Sequence, residues 1–408
     1  MYSSPTGSNA GVPGPAAAVT VRSAILMLLL LTGCAPMVPH GQNVSPGADQ
    51  HTSTGHDPEP VYLTPALDLA EATDLEGIIP KLADKRVVFV GESHNRFDHH
   101  LTQLEIIRRL HAIHPRMAIG MEMFQQPFQG VLDDYVAGRL TERELLQGTE
   151  YYRRWRFDFR HYAPILRYAR EHQLPVVALN LPAELTQKVG RNGPDVLAAE
   201  ERAQLPSEID RSDTAYAQRL RAVFNLHPNN GRSFDNFLEA QLLWDEGMAK
   251  QAADYLVAHP DFHMVILAGS GHLARGSGIP RRLARRLPAA SSAIVLNGWE
   301  GALEPGLADF ILLTEQRMLP PTGRFGVLLD DEIDVPTVDA CLPDSPCKRA
   351  GLMRGDRFLS IDGEPVDDMT ALHLVMWDKQ PGDTVTLRVN RTRWFSPPRE
   401  LSYTMELH

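Results

Sequence analysis

Two short segments hold the residues best suited to chemistry. "GESH" (91–94) and "GSGH" (269–272) are both Gly-x-x-His, and each closes an apolar run, "RVVFVG" (86–91) and "HMVILAG" (263–269). A glycine lets the chain turn sharply there, so that a histidine two or three residues on can swing back over the end of the run. A third run, "MAIGME" (117–122), ends in Glu122, and "GESH" itself supplies Glu92. Two imidazoles and two carboxylates can form a mixed nitrogen and oxygen site for a divalent metal. They can equally serve as acid–base groups without one. The spacing leaves both open.

The elements that must position these groups are legible as a pattern. Further apolar runs are "PVVALN" (175–180) and "SAIVLNG" (292–298), and amphipathic stretches such as "LTQLEIIRRLHAI" (101–113) and "FLEAQLLWDEGMAKQAADYLVAH" (237–259) lie between them. Uninterrupted apolar strands alternating with helices predict an α/β fold, a mostly parallel sheet covered on both faces. Ligands in such folds bind beyond the carboxyl ends of the strands. Those ends carry Glu92 with His94, then Glu122, Asn180, Ser270 with His272, and Asn297. "LAGSGH" (267–272) is a poor nucleophile elbow, because Ala268 and His272 stand where that motif requires glycines.

Length and charge bound the rest. The 408 residues suffice for one large domain of about 250 residues and a small one. A net charge of -11 argues against a nucleic-acid partner, since nothing here would neutralise a phosphate backbone. "RRLARRL" (281–287) reads as a solvated helix face. At the N-terminus Arg22 precedes "AILMLLLL" (24–31), too short to span a membrane, and "LTGC" (31–34) follows. This looks like a bacterial lipobox, with Cys34 as the lipidated residue after removal of residues before it. Residue 35 is alanine and not aspartate, which favours an outer-membrane anchor facing the periplasm. Residues 35–60 are rich in Pro, Gly, Ser and Thr and read as a disordered tether, whose His40, His51 and His56 belong to spacer composition. Cys341 and Cys347 can pair in an oxidising compartment or stay reduced.

Residues 61–318 resemble a known family. "FVGESHNRFDHHLTQLEII" (89–107), "MEMFQQPFQGVLDDYVAGRLTERELL" (121–146), "HYAPILRYAREHQLPVVALNLP" (161–182), "EAQLLWDEGMA" (239–249) and "ILAGSGHLARGSGIPRRL" (266–283) are similar to blocks of the Tiki/TraB superfamily, and within it to ChaN, the haem-binding uptake lipoproteins. The resemblance implies iron-linked haem binding if the chain acts as ChaN proteins do. It implies a metal-dependent hydrolase or peptidase, with Glu92, His94, Glu122 and His272 as ligands or acid–base groups, if it acts as Tiki proteins do. Haem needs apolar planes, a Tyr or His axial ligand and cations for its propionates. "EYYRRWRFDFRHY" (150–162) therefore offers Tyr151, Tyr152 and Tyr162, with Arg153 and Arg154, beside His94, His99 and His272. The plain alternative is that these aromatics pack a helix. Of His99 and His100, which open the helix after "GESH", one is expected to face the cleft and one solvent. Gln241 and Asp245, four apart, are an inward stripe or an ordinary helix face.

Residues 322–408 change character to short strands and Gly/Pro turns. "RFGVLL" (324–329), "DSPCKRAGLMRGDRFLSIDGEPVDD" (344–368) and "KQPGDTVTLRVNR" (379–391) resemble a bacterial PDZ domain, a small α+β module. By that resemblance the amides around Phe325, Gly326 and Val327 hold the carboxylate of a partner's C-terminal peptide.

Overall fold

The computed structural model describes residues 72–408 apart from 227–232, 300, 302, 331–332 and 394–395. The expected leader, Cys34 and the tether lie outside the described residues. Each of the five apolar runs forms a strand: β1 Val87–Glu92, β2 Met117–Gln125, β3 Val176–Asn180, β4 His263–Gly269 and β5 Ser292–Asn297. A sixth, β6 Phe310–Leu312, was not signalled by the sequence; three half-buried residues at a sheet edge leave no apolar run to read. All six pair in parallel, in the order β3-β2-β4-β1-β5-β6.

Alternate residues along the strands feed two separate cores, as a sheet buried on both faces requires. On one face the helix Phe97–Ile113 and the helix Ala163–Glu171 bring Ile106, Ile107, Leu110 and Ile165 against Val88, Val90, Ile119 and Met121. On the other, the helices Phe234–Ala258 and Gly278–Arg286 bring Met248, Leu256, Ile279 and Leu283 against Val87, Phe89, Ala118 and Ile266. The chain leaves β1 for the first face and β4 for the second, yet β1 and β4 are neighbours, with Glu92 opposite Gly269. This is the point in a parallel sheet where the two connections diverge and a crevice opens. Both Gly-x-x-His segments meet at it.

The glycines of those motifs serve a different purpose from the one expected. Neither Gly91 nor Gly269 has a positive φ. A Cβ on Gly91 would lie 2.6 Å from Leu296 Cδ2 and 3.3 Å from the Ser270 Cα, and one on Gly269 would lie 3.1 Å from His94 Cε1. They admit neighbours; they do not make a turn.

The last part of the chain is antiparallel. Arg357–Ile361, Glu364–Pro365, Thr384–Arg393 and Ser396–Glu406 form one sheet, and Val327–Leu329 pairs with Val338–Cys341 in a second. The helices Pro346–Ala350 and Met369–Met376 complete the module around its own core of Phe358, Ile361, Leu372 and Leu387. Cys341 and Cys347 form a disulfide. The module rests on the α/β part through His373, stacked on Tyr152 with ring centres 5.4 Å apart, and Trp377, edge-on to Phe159 at 5.7 Å. Among the described residues, no helix is long and apolar enough to cross a membrane.

Candidate functional site

At the end of β1, Glu92 turns back under the sheet edge. His94 Nδ1 lies 2.5 Å from Glu92 Oε1, and His100 Nε2 lies 2.9 Å from Glu92 Oε2. The Tyr162 hydroxyl donates to Glu92 Oε1 at 3.4 Å. Burial alone would raise the pKa of this carboxyl, but His100 and His94 outweigh it and hold the group well below the usual carboxylate range. At the end of β4 the arrangement repeats. His272 Nδ1 donates to Asp245 Oδ1 at 2.6 Å, and the Tyr216 hydroxyl donates to Asp245 Oδ2 at 2.8 Å. Burial opposes a charge on His272, yet Glu122 and Asp245 push its pKa up to about 9. Burial likewise opposes a charge on His94, and Glu92 with Glu122 raises its pKa.

Glu122 stands between the two imidazoles. Its Oε2 accepts the Gly269 amide at 2.7 Å, and its Oε1 is 3.6 Å from His272 Nε2. The side-chain amides of Asn180 and Asn297 fix the neighbouring strand ends by donating to the carbonyls of Glu122 and Gly91 at 3.1 and 3.0 Å. The Nε2 atoms of His94 and His272 are sealed from solvent and make no hydrogen bond. A buried polar atom in that state is costly unless something is meant to meet it. Two imidazoles, each braced through Nδ1 by a carboxylate and each with a bare Nε2, beside a third carboxylate, can donate and accept protons in one small space.

The four residues expected as metal ligands are thus brought together, but they do not assemble as ligands. Among the described residues no three His, Cys, Asp or Glu side chains are grouped so as to hold a metal ion. The reason is local: Glu92 faces His94 and His100, and Glu122 is drawn to the Gly269 amide. Haem fits this crevice still less. Glu92, His94, Glu122 and His272 are each 1–2% exposed, and the rings of Trp155 and Phe157 cover His94 at 4.8 and 4.9 Å.

The tyrosines expected as axial ligands take packing positions in this structure. Tyr151 and Tyr162 are buried in the core, and burial raises both phenols well above their ordinary pKa. Tyr162 accepts from Trp155 Nε1 at 3.2 Å, Tyr151 packs between Phe124 and Phe159, and Tyr152 lies under His373. The segment 150–162 is a packing element first. Arg154 is bound to Glu150 and Glu184, whereas Arg153 is exposed. His99 and His100 are both buried, so neither faces solvent. His99 Nδ1 accepts the Ser93 amide at 3.0 Å, and burial lowers its pKa to about 4; it secures the turn after β1, and His100 is the one that reaches Glu92.

Three residues that act here carried little signal in the sequence. Asp245 was one of two equal readings of a helix face, Tyr216 had no motif, and Trp155 was not named within the aromatic segment 150–162. An Asp–Glu pair inside the apolar "LLWDEGM" was the available clue. Glu246 explains the basic segment as well. Arg282 is fully buried with its Nε 3.3 Å from Glu246, and Arg285 and Arg286 pair with the same carboxylate, so this helix face is not simply solvated. The Ser270 hydroxyl donates to the Glu92 carbonyl at 3.2 Å, a bracing role. In the small module Phe325 is buried, its carbonyl accepting the Cys347 amide at 2.9 Å. Gly326 has φ +66°, and Val327 pairs with Cys341.

Comparison with known proteins agrees with this architecture. The family model described as "Haem-binding uptake, Tiki superfamily, ChaN" matches residues 78–283, and a PDZ domain model matches residues 323–393. A curated relative, RETICULATA-RELATED 5, chloroplastic, of Arabidopsis thaliana, is 23% identical over 276 residues, covering 61% of this chain and 37% of that protein. The match thus spans little more than a third of that relative's length. Among solved structures, "Cofacial heme binding to ChaN of Campylobacter jejuni" is 18% identical with a TM-score of 0.48, covering 59% of this chain and 92% of that one. The HtrA-type protease AlgW with a decapeptide is 22% identical with a TM-score of 0.18, covering 21% and 29% respectively. With its model matched over half the sequence, the chain belongs to the ChaN family of haem-binding uptake proteins in the Tiki superfamily, and it carries a PDZ domain after the ChaN domain.

Proposed function

We propose that the protein binds haem in the bacterial envelope as part of iron uptake, anchored through lipid on Cys34 to the outer membrane and facing the periplasm. In this reading the PDZ domain recruits a protein partner by its C-terminal peptide. The observation that carries the haem reading is the match of the haem-binding uptake model to residues 78–283. The lipobox-like "LTGC" (31–34) with Ala35 supports the anchor. Because the crevice at the strand ends is closed, haem binds elsewhere on the fold. An absorbance titration of the purified chain with haem tests the reading: saturable growth of a bound-haem band supports it, and its lack defeats it.

A second reading is favoured by one specific feature, the pair of carboxylate-braced imidazoles on either side of Glu122. It makes the crevice an acid–base centre for hydrolysis, entered when the cover of Trp155 and Phe157 moves. His94→Ala and His272→Ala would then each abolish peptide or ester cleavage, and the double variant would lose little more than the worse single one, because the groups act as a unit. Dependence of that cleavage on a chelator and its reversal by added Zn²⁺ or Mn²⁺ would place a metal in the crevice.

A further inference from the structure

The rings that close the strand-end crevice and the rings that carry the PDZ domain belong to one short strap, residues 150–162. Trp155 and Phe157 cover His94, with ring centres 4.8 and 4.9 Å from its own. Tyr152 and Phe159, on either side of that pair in sequence, are where the PDZ domain lands. His373 stacks on Tyr152 at 5.4 Å, and Trp377 meets Phe159 at 5.7 Å. Leu374 of the same PDZ helix, Met369–Met376, also packs against the core on this face of the sheet. Tyr151 ties the two landing points together, edge-on to Tyr152 at 5.3 Å and to Phe159 at 5.4 Å. The strap then reaches the site itself: Trp155 Nε1 donates to the Tyr162 hydroxyl at 3.2 Å, and that hydroxyl donates to Glu92 Oε1 at 3.4 Å.

The backbone of the strap is held in a conformation it would not keep alone. Glu150 and Arg156 sit at φ +50° and +68°, where a side chain crowds the main chain. Residues other than glycine stay there only while their surroundings enforce it. Arg156 is exposed, so the enforcing falls to the rings on either side of it. Beside the landing lies a cleft of about 480 Å³, lined by Arg160, Pro164 and Trp377 among others, which leaves the helix room to shift. We propose that the PDZ domain is the clamp on the crevice: by bearing on Tyr152 and Phe159 it keeps Trp155 and Phe157 seated over His94, and withdrawal of the helix Met369–Met376 lets them lift. This rests on the second reading above only for the use made of an open crevice, and it goes beyond that reading by naming what controls the opening. Whatever shifts the PDZ helix then shifts access to the buried imidazoles.

The test reads access to His94 directly and needs no substrate. Diethyl pyrocarbonate acylates neutral imidazoles that solvent can reach, and peptide mapping by mass spectrometry gives the rate at each histidine. The full chain is labelled at one fixed pH as wild type, His373→Ala and Trp377→Ala, each checked for folding by circular dichroism. His263, partly buried at the opposite end of β4 from the crevice, is the internal control. Labelling of His94 is expected to rise about tenfold or more in Trp377→Ala and several-fold in His373→Ala, as a local opening equilibrium does when a well-packed contact is lost. His263 should keep its wild-type rate. If Trp377→Ala does not fold, His373→Ala carries the test, since it removes only a ring stacked at the surface. Labelling of His94 within about twofold of wild type in the folded variants would overturn the clamp. Equal acceleration at His94 and His263 would overturn it too, because it would mean general loosening. Neither result bears on cleavage or on haem, so each functional reading stands or falls on its own assay.

Discussion

His272 shows how a single side chain is set by its neighbours. Its imidazole is buried, yet Asp245 and Glu122 keep it protonated to about pH 9. A folded-state pKa raised above the unfolded value of about 6.5 gives stability that is fully present below pH 6.5 and is lost as the pH rises through 9. Asp245→Asn removes the bracing charge and its hydrogen bond and leaves Glu122 as the remaining counter-charge, so it should cost about 1.5–3 kcal/mol in urea unfolding at pH 7. Tyr216→Phe, which deletes one hydrogen bond to Asp245, should cost only about 1 kcal/mol. The gap between wild type and Asp245→Asn should narrow above pH 9; a gap unchanged from pH 6 to pH 10 would mean that Asp245 does not hold the proton on His272. At this scale Glu92, His94, Glu122 and His272 were legible because each ends an apolar run. Asp245 was not, since a helix of 25 residues buried along much of its length gives no clear phase to its polar positions.

The segment 150–162 was legible in composition and misleading in role. Its aromatic residues point into the core and against the neighbouring domain, and the chain reverses sharply there, with Glu150 and Arg156 at φ +50° and +68°. Tyr152 and Phe159 are where the PDZ helix lands. Trp377→Ala should therefore speed amide hydrogen exchange in both 369–376 and 151–162. Faster exchange confined to the PDZ helix would show that the two elements are not mutually supported. The disulfide is an element-scale feature too, joining the strand beside Val327 to the helix whose Cys347 amide meets the Phe325 carbonyl. Cys347→Ser should destabilise the PDZ domain by about 2 kcal/mol, the loop-closure value for so short a ring, and reductant should reproduce the loss in wild type. Spacing alone left this pairing open, because residues six apart in sequence can be bridged only if the fold brings their Cβ atoms together.

For the whole molecule, the alternation of apolar runs with amphipathic helices was enough to predict a parallel α/β sheet, because strands buried on both faces have no polar alternation to hide. The order of the strands was not legible, and the order is what makes β1 and β4 neighbours and brings the two Gly-x-x-His segments to one crevice. The meeting of the domains was equally hidden, since an interface formed by Tyr152, Phe159, His373 and Trp377 looks in sequence like any set of core aromatics. If lipid on Cys34 holds the molecule at the outer membrane, Cys34→Ala should leave it unprocessed or soluble on membrane fractionation, and unchanged fractionation would remove the anchor from the account. The central claim is that haem binds this fold away from the closed crevice at the strand ends. The direct measurement is a haem titration of the double variant His94→Ala, His272→Ala beside wild type, each checked for folding. The account predicts the same Soret band and an affinity within about twofold, since neither substituted side chain would touch haem bound elsewhere on the fold. Loss of the band in a folded double variant would place haem at the crevice and contradict it.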